Sequence, residues 1–563
     1  MPLKTRIHKL CLYVSSHSQI IFLVLTILSA CYILSSFSDF QYYLSTGDHG
    51  RELYCYKKTL DGALPYRDFS WLYGPFFLYY YALFYQLFGV SVQSVLLGQN
   101  VLVLGSTVLL YLICSRFLSP ALAWICALWY LSYRGMEFFF SYHHSGGLLL
   151  ILLILFCVFE YIKKPGKLPV FAGFASVLLL LLTRLNLGVA FFAAFLASLL
   201  LVDQFRKGSL VRTDKKLYLL LSVVTATIPA VIYWLLIHPL PQYIINQTFP
   251  YSHAQLAVVK TSPWQAIMEF FRILTEIFTA SWPRKIFALA LCTAIFQMIT
   301  ALILKKTGRP SKENVLVFLS LFIFLVCGLH EFIGSGVTFR LNWIFPIMLV
   351  ILAHLFSELM RLNSTIIFTP VIRTLTLLMF LGFILRQTAD NNNFIAPHKT
   401  PERIIAAGKT RIYTIQDSAW IKTVTSTLEY LRQHVLTGEN IFTLPHDSLY
   451  NFLSGHDAPT RQLAFFEHTG ISPEQEQETI NDLESADVQW VVMSNRIESV
   501  EFGMGVFGTT HCRLLNDYLT EHFEVAAQFG DWNGPGGWGA DHATAVLKRK
   551  SGANSQAGTD NLQ

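Results

Sequence analysis

The chain is 563 residues long, with 53% hydrophobic residues, 14% charged residues and a formal net charge of +6. That balance lies far from a soluble average, gives no reason to expect a nucleic-acid partner, and identifies a polytopic α-helical membrane protein. The nine cysteines are scattered without a Cys-x-x-Cys or Cys/His spacing, so no metal site or disulfide framework is indicated; Cys55 and Cys512 would both be external, and nothing favours pairing them.

A bilayer core about 30 Å thick requires roughly 20 apolar residues per helix. Apolar segments of about that length are predicted at 20–36, 92–114, 121–133, 146–161, 168–183, 187–202, 217–237, 286–304, 315–329, 341–357 and 366–385, about eleven spans by this length rule. Between the first and second lies a charged, aromatic loop with juxtamembrane helices, residues 38–91, which contains GDHGRELYCYKKTLDGALPYRDFSWLYGP. Ionisable residues beside hydrocarbon are costly and are kept mostly for function, which singles out Asp48 and Asp68. The stretch 71–89 is apolar too, but Tyr73, Tyr79, Tyr80, Tyr81 and Tyr85 suit a helix lying at the membrane interface.

With that stretch on the surface, the basic clusters at Lys4/Arg6/Lys9, Arg116, Lys163/Lys164/Lys167, Arg206/Lys207/Arg212/Lys215/Lys216, Lys305/Lys306/Arg309/Lys312 and Arg361 all fall on one side. The positive-inside rule makes that side the cytoplasm, with the N-terminus in it. The opposite, extracytoplasmic face then gathers Asp48, Asp68, Glu137, His143, His144, Arg184, Asn186, His330, Glu331 and Arg340. The membrane domain spans 1–389. Residues 390–550 read as a soluble α/β domain on the same external face, with strand-like ENIFTLP, DVQWVVMS and ATAVLKRK and a helical pattern at 474–483; 551–563 is too polar to fold. The glycine-rich DWNGPGGWGADH reads as a turn before the last strand, not a phosphate loop, since it lacks the Gly-Lys-Ser/Thr ending.

The order of one helix, an external loop with an Asp near its start, PYRDF, and a Tyr-Gly-Pro-led aromatic helix ending in LFG resembles the GT-C superfamily of integral membrane glycosyltransferases. The likeness is greatest to the protein O-mannosyltransferase and lipid A aminoarabinose transferase group. Thr183-Arg184-Leu185-Asn186, the run FRLNWIFP at 339–346 and the stretch IFTLPHDSLYNFLSGHDAPTR are also similar to it. Many relatives carry Asp-Glu in the first loop, whereas here His49 follows Asp48 and Glu52 stands four residues on, so the carry-over rests on Asp48 alone.

The resemblance implies transfer of a sugar from a polyprenyl-phosphate carrier to an acceptor hydroxyl, with inversion, at the extracytoplasmic face of a bacterial inner (plasma) membrane. It makes Asp48 the general base. Asp68, Glu52, Glu137 and His144 are candidate second acids or supporting groups, and Arg184 and Arg340 are suited to the donor phosphate. The partners are then membrane lipid, the lipid-linked donor and a glycan, lipid or protein acceptor; no metal ligand set is assigned. Each residue has a plainer reading: an Arg51 pair or helix cap for Asp48, a turn fixed by Arg67 for Asp68, interfacial snorkelling for the arginines and packing for His143 and His144. The rival function is a multi-pass transporter or lipid-linked-glycan flippase. Against it, the charges cluster at helix ends instead of the midplane, and the halves show no repeat.

Overall fold

The computed structural model describes residues 3–36, 47–132, 142–205, 215–240, 312–330, 341–360 apart from 342, 404–413, 418–499, 504–537 and 543–551, with a few single positions between. The chain divides into two compact units, one of residues 1–38, 99–231 and 259–399, the other of 39–98, 232–258 and 400–563.

The helices in chain order are α1 (Leu3–Ser36), α2 (Asp48–Leu60), α3 (Phe76–Phe88), α4 (Val92–Cys114), α5 (Pro120–Ser132), α6 (His143–Lys163), α7 (Lys167–Leu181), α8 (Leu185–Phe205), α9 (Lys215–Ile237), α10 (Lys312–Gly328) and α11 (Phe345–Met360). All but α2 and α3 lie wholly or mainly in the first unit. Residues 17–34 of α1, together with α4, α6, α8 and α9, are the 5 described helices long and apolar enough to cross a membrane. Helices α5, α7, α10 and α11 are apolar but shorter. The expected spans at 286–304 and, but for single positions, 366–385 lie outside the described residues; the others fall on α1 and on α4 to α11.

A helix that is apolar all round must be enclosed by protein or by lipid. Both cases occur in the first unit. Helix α6 is central, with 78% of its spanning window buried, and packs on α7, α8, α10 and α11. By contrast, α1 and α9 have only 22% and 17% buried and turn Leu28, Tyr32, Leu219 and Leu220 outward, as lipid-facing helices do.

The ends of this bundle are polar. At the end of α6 Arg116 pairs with Glu160, and Tyr161 Oη donates to Asp203 (2.8 Å) and meets Tyr218 Oη at 2.7 Å, which ties the ends of α4, α6 and α8 to the start of α9. At the start of α6 stand His143 and His144. The turn from α7 into α8 carries Thr183 and Arg184, and Asn186 Nδ2 lies 3.4 Å from His330 Nε2 just past α10.

In the second unit α3 is 13 residues long, short of a span. Its Tyr81 and Tyr85 are buried, not turned to an interface: Tyr81 stacks on Tyr56 of α2 at 4.7 Å, and Tyr85 Oη donates to the Leu53 carbonyl (3.2 Å). The polar third of the chain contributes a hairpin, β1 (Ile404–Ala407) with β2 (Thr410–Tyr413), then α12 (Ser418–His434), β3 (Ile441–Leu444), α13 (Leu449–Ser454), α14 (Pro473–Ser485), β4 (Trp490–Ser494), α15 (Arg513–His522), β5 (Phe523–Gly530) and β6 (Ala543–Arg549). The four-stranded sheet has the order β3-β4-β6-β5, with β3 and β4 parallel and the other pairs antiparallel. Phe442, Leu444, Phe465, Leu483, Val491, Leu515, Leu519 and Leu547 form its core. Because β3 and β4 run side by side in one direction, the residues just beyond their C-terminal ends are neighbours, and such ends are where ligands meet open sheets.

Candidate active site

Helix α2 begins at Asp48, and its first turn is closed by Arg51 N–H donating to the Gly47 carbonyl (2.8 Å). Two glycines let this turn come close to the soluble layer. A Cβ on Gly50 would stand 2.5 Å from the backbone nitrogen of Leu449, so α2 and α13 touch backbone to backbone. A Cβ on Gly47 would stand 2.7 Å from His446 Nδ1 and 3.2 Å from Arg496 Nη2, so the start of α2 rests on the loops that follow β3 and β4.

Those loops are locked together. Asp447, just past β3, accepts from Arg496 Nη1 (3.1 Å) and Ser494 Oγ (2.6 Å), and Arg496, just past β4, also donates through Nε to the Gly537 carbonyl (3.0 Å). The side chains of this ion pair are 1% and 0% exposed. Asn495 Nδ2 donates to the carbonyl of Gly534 (2.7 Å), so the glycine-rich segment after Asp531 closes over the same corner. Tyr54 of α2 adds a further tie by accepting from Ala458 N–H (2.7 Å).

Asp48 points into this corner. Its carboxylate is paired with Arg51 Nη2 at 3.1 Å, yet the side chain is 57% exposed while that of Arg51 is 4% exposed. Desolvation is the largest influence on the Asp48 carboxyl and would raise it, but Arg51 and then His446 and His49 act the other way and hold it below the usual range. Burial, then the Arg51 guanidinium, depresses the His446 imidazole well below its ordinary value, against the opposing pull of Asp48, so the ring is neutral at physiological pH. Its Nε2 is enclosed and has no hydrogen-bond partner among the described residues. The corner thus joins a carboxylate held below its usual pKa, a buried guanidinium and a neutral imidazole.

The other expected site residues fall in different places. Glu52 is fully buried and accepts from Tyr56 Oη at 2.8 Å. Asp68 closes its own turn, accepting from Leu64 N–H (2.7 Å) and paired with Arg67 through two bonds of 2.8 and 3.0 Å. In the first unit, His144 and Arg184 converge on one indole: the His144 ring lies 3.6 Å from that of Trp343, and Arg184 Cζ stands 4.9 Å from the same ring. Arg184 of the α7–α8 turn and Trp343, far apart in sequence, therefore meet. Glu137 and Arg340 lie outside the described residues. Among the described residues no group of three or more His, Cys, Asp or Glu is arranged to hold a metal, and Cys55 and Cys512 are both free, buried thiols.

Sequence reasoning did not reach His446, Asp447 or Arg496. The signal for the first two was present, since His-Asp-Ser follows the strand-like ENIFTLP within a segment similar to GT-C proteins. Nothing tied it to a loop 400 residues earlier.

No protein-family model matches the sequence, and no curated protein matches it. The fold, however, is shared. The crystal structure of ArnT from Cupriavidus metallidurans bound to undecaprenyl phosphate is similar over 95% of this chain and 99% of that one, with a TM-score of 0.53 at 11% identity. The same protein in the apo state gives 0.52 at 12% identity, over 93% and 97% of the two chains. The archaeal oligosaccharyltransferase AglB from Archaeoglobus fulgidus, in complex with an inhibitory peptide and a dolichol-phosphate, gives 0.50 at 12% identity, over 90% of this chain and 73% of that one. At 11 and 12% identity these likenesses show a shared fold. The chain is an integral membrane protein.

Proposed function

We propose that this chain is an inverting glycosyltransferase that moves a sugar from a polyprenyl-phosphate carrier to an acceptor hydroxyl on the extracytoplasmic face of the bacterial inner membrane. Asp48 is the general base, and Arg184 and Arg340 hold the donor phosphate. The observation that supports this most is the Asp48 carboxylate itself, ionised and open in a corner whose other charges are fixed by buried contacts. The shared fold with ArnT bound to undecaprenyl phosphate and AglB bound to a dolichol-phosphate supports the lipid-linked donor.

In the reaction the acceptor oxygen forms a bond to the anomeric carbon as the bond to the carrier phosphate breaks on the opposite face. The electron pair leaves with the phosphate and the hydroxyl proton goes to Asp48. A carboxylate held below its usual pKa is too weak to deprotonate a free alcohol, so the proton moves late, once the new bond has acidified the hydroxyl. Such a base contributes about 10²- to 10⁴-fold. Charge that develops on the leaving phosphate is met by arginine, and no nucleotide-binding fold is required because the lipid carrier replaces the nucleotide.

The test is Asp48→Asn, which keeps the size of the side chain but cannot take a proton. Lipid-linked sugars that accumulate in cells lacking the protein, identified by mass spectrometry, supply the donor for the purified enzyme. Transfer by Asp48→Asn should fall at least about 10²-fold, while Glu52→Gln, whose carbonyl oxygen still accepts from Tyr56, should keep most of it. Near wild-type transfer by Asp48→Asn would remove the base assignment.

A further inference from the structure

The meeting of Arg184 with Trp343 has a design that packing alone does not require. The backbone of Arg184 is fixed at both sides, since its N–H donates to the Leu180 carbonyl (2.8 Å) and its carbonyl accepts from Gly188 N–H (2.8 Å). Its side chain is then laid against an indole, with Cζ 4.9 Å from the ring centre. That indole is itself clamped. Trp343 is 2% exposed, His144 lies against it at 3.6 Å with a 40° tilt, and a Cβ on Gly147, one helical turn along α6, would stand 2.6 Å from its Cζ3. The ring therefore fits only because position 147 has no side chain. Three separate parts of the first unit, α6, the α7–α8 turn and the segment leading into α11, are spent on the angle of one plate.

We propose that Trp343 is a positioning residue that holds the Arg184 guanidinium in place for an oxyanion, the phosphate of a polyprenyl carrier. A long, flexible arginine loses rotamer freedom when it binds a ligand; stacking it beforehand removes that cost from the binding step. A guanidinium held over a ring is restricted in the directions its N–H groups can take, which favours bidentate phosphate recognition. The inference rests on Arg184 as a phosphate ligand, and it assigns to His144 and Gly147 the task of holding the plate. Cation–π contacts of this kind are worth about 0.5 to 2 kcal/mol, which as affinity is about 2- to 30-fold.

The test uses the purified full-length protein in lipid nanodiscs, with undecaprenyl phosphate and the uncharged undecaprenol as probes. Wild type should prefer the phosphate, and Arg184→Ala should lose that preference. Trp343→Leu should weaken the phosphate about 2- to 30-fold and leave undecaprenol unchanged, whereas Trp343→Phe, which keeps an aromatic face, should recover much of the loss. The double variant Arg184→Ala/Trp343→Leu should bind no more weakly than Arg184→Ala alone. If Arg184→Ala binds the phosphate like wild type, the phosphate reading falls and the inference with it. If Arg184→Ala loses the preference but Trp343→Leu keeps it, or if the two losses simply add, the phosphate reading stands and the positioning role is overturned. A Trp343 variant that weakens both lipids equally acts through the fold, which also overturns it; should Trp343→Leu not fold, the same comparison is made with Trp343→Met, which also lacks an aromatic face.

Discussion

Loss of the Asp447 carboxylate should damage the second unit more than loss of any exposed acid, because it strands a buried charge. Asp447 and Arg496 are 0% and 1% exposed at the side chain, and Asp447 is also the acceptor for Ser494 Oγ at 2.6 Å. Asp447→Ala removes the carboxylate from a buried ion pair and leaves the Gly537 and His446 carbonyls, which carry no charge, to meet the guanidinium, a defect that costs about 3 to 5 kcal/mol. The control is Asp68→Ala, whose partner Arg67 is 54% exposed, so that screening by solvent leaves about 0 to 1 kcal/mol at stake. At about 2 to 4 °C per kcal/mol for a domain of this size, the apparent Tm of the purified protein, followed by tryptophan emission, should drop about 6 to 20 °C for Asp447→Ala and under about 4 °C for Asp68→Ala. Replacing both partners, Asp447→Leu with Arg496→Met, should restore much of the loss, since the apolar pair strands no charge. Equal melting of the two alanine variants, or a double variant no better than the single one, would refute the reasoning.

Two further outcomes follow from the same corner. Gly47 has an ordinary φ of −76°, so Gly47→Ala acts only through its collision with His446 and Arg496; it should cost about 1 to 3 kcal/mol and reduce transfer, and a variant that melts and turns over like wild type would show that α2 does not rest there. His446 is held neutral in the folded protein while the unfolded chain binds its proton below about pH 6.5, so its contribution to stability is complete above the unfolded pKa and is lost as pH falls from there toward the folded value. Stability should therefore fall between pH 7.5 and 5.5 with a slope that approaches about 1.4 kcal/mol per pH unit, and His446→Gln should fall less; parallel Tm losses in the two proteins would exclude His446 as the source.

How much of this was legible depends on the range over which each cause acts. Helices α4 and α9 are plain in the sequence because apolar runs of spanning length depend only on consecutive residues, and the structure has them at Val92–Cys114 and Lys215–Ile237. Strand β3 lies inside ENIFTLP, and α14 covers 473–485 around the helical pattern at 474–483, for the same reason, local pattern. The interfacial role expected of Tyr81 and Tyr85 went astray because composition cannot say which side of a helix finds a protein partner, and here the partner is Tyr56. Asp48 was reachable as an acid in a loop beside lipid. Its neighbours His446, Asp447 and Arg496 were not, because their nearness follows from the parallel pairing of β3 and β4 and from close approach at Gly47 and Gly50, which no local spacing records.

The charge balance of the corner argues for a division of labour in the proposed reaction. Arg51 is committed to Asp48, and Arg496 to Asp447 in a pair that solvent does not reach. His446 is neutral. A phosphate brought here would meet cations already neutralised and two carboxylates that repel it, so the corner is a poor place for the leaving group and a suitable one for an uncharged hydroxyl. In the proposed reaction the donor phosphate is therefore left to other residues, the role proposed for Arg184 beside Trp343. Substitutions at Asp48 and His446 should accordingly act on acceptor use and rate, and those at Arg184 and Trp343 on donor affinity.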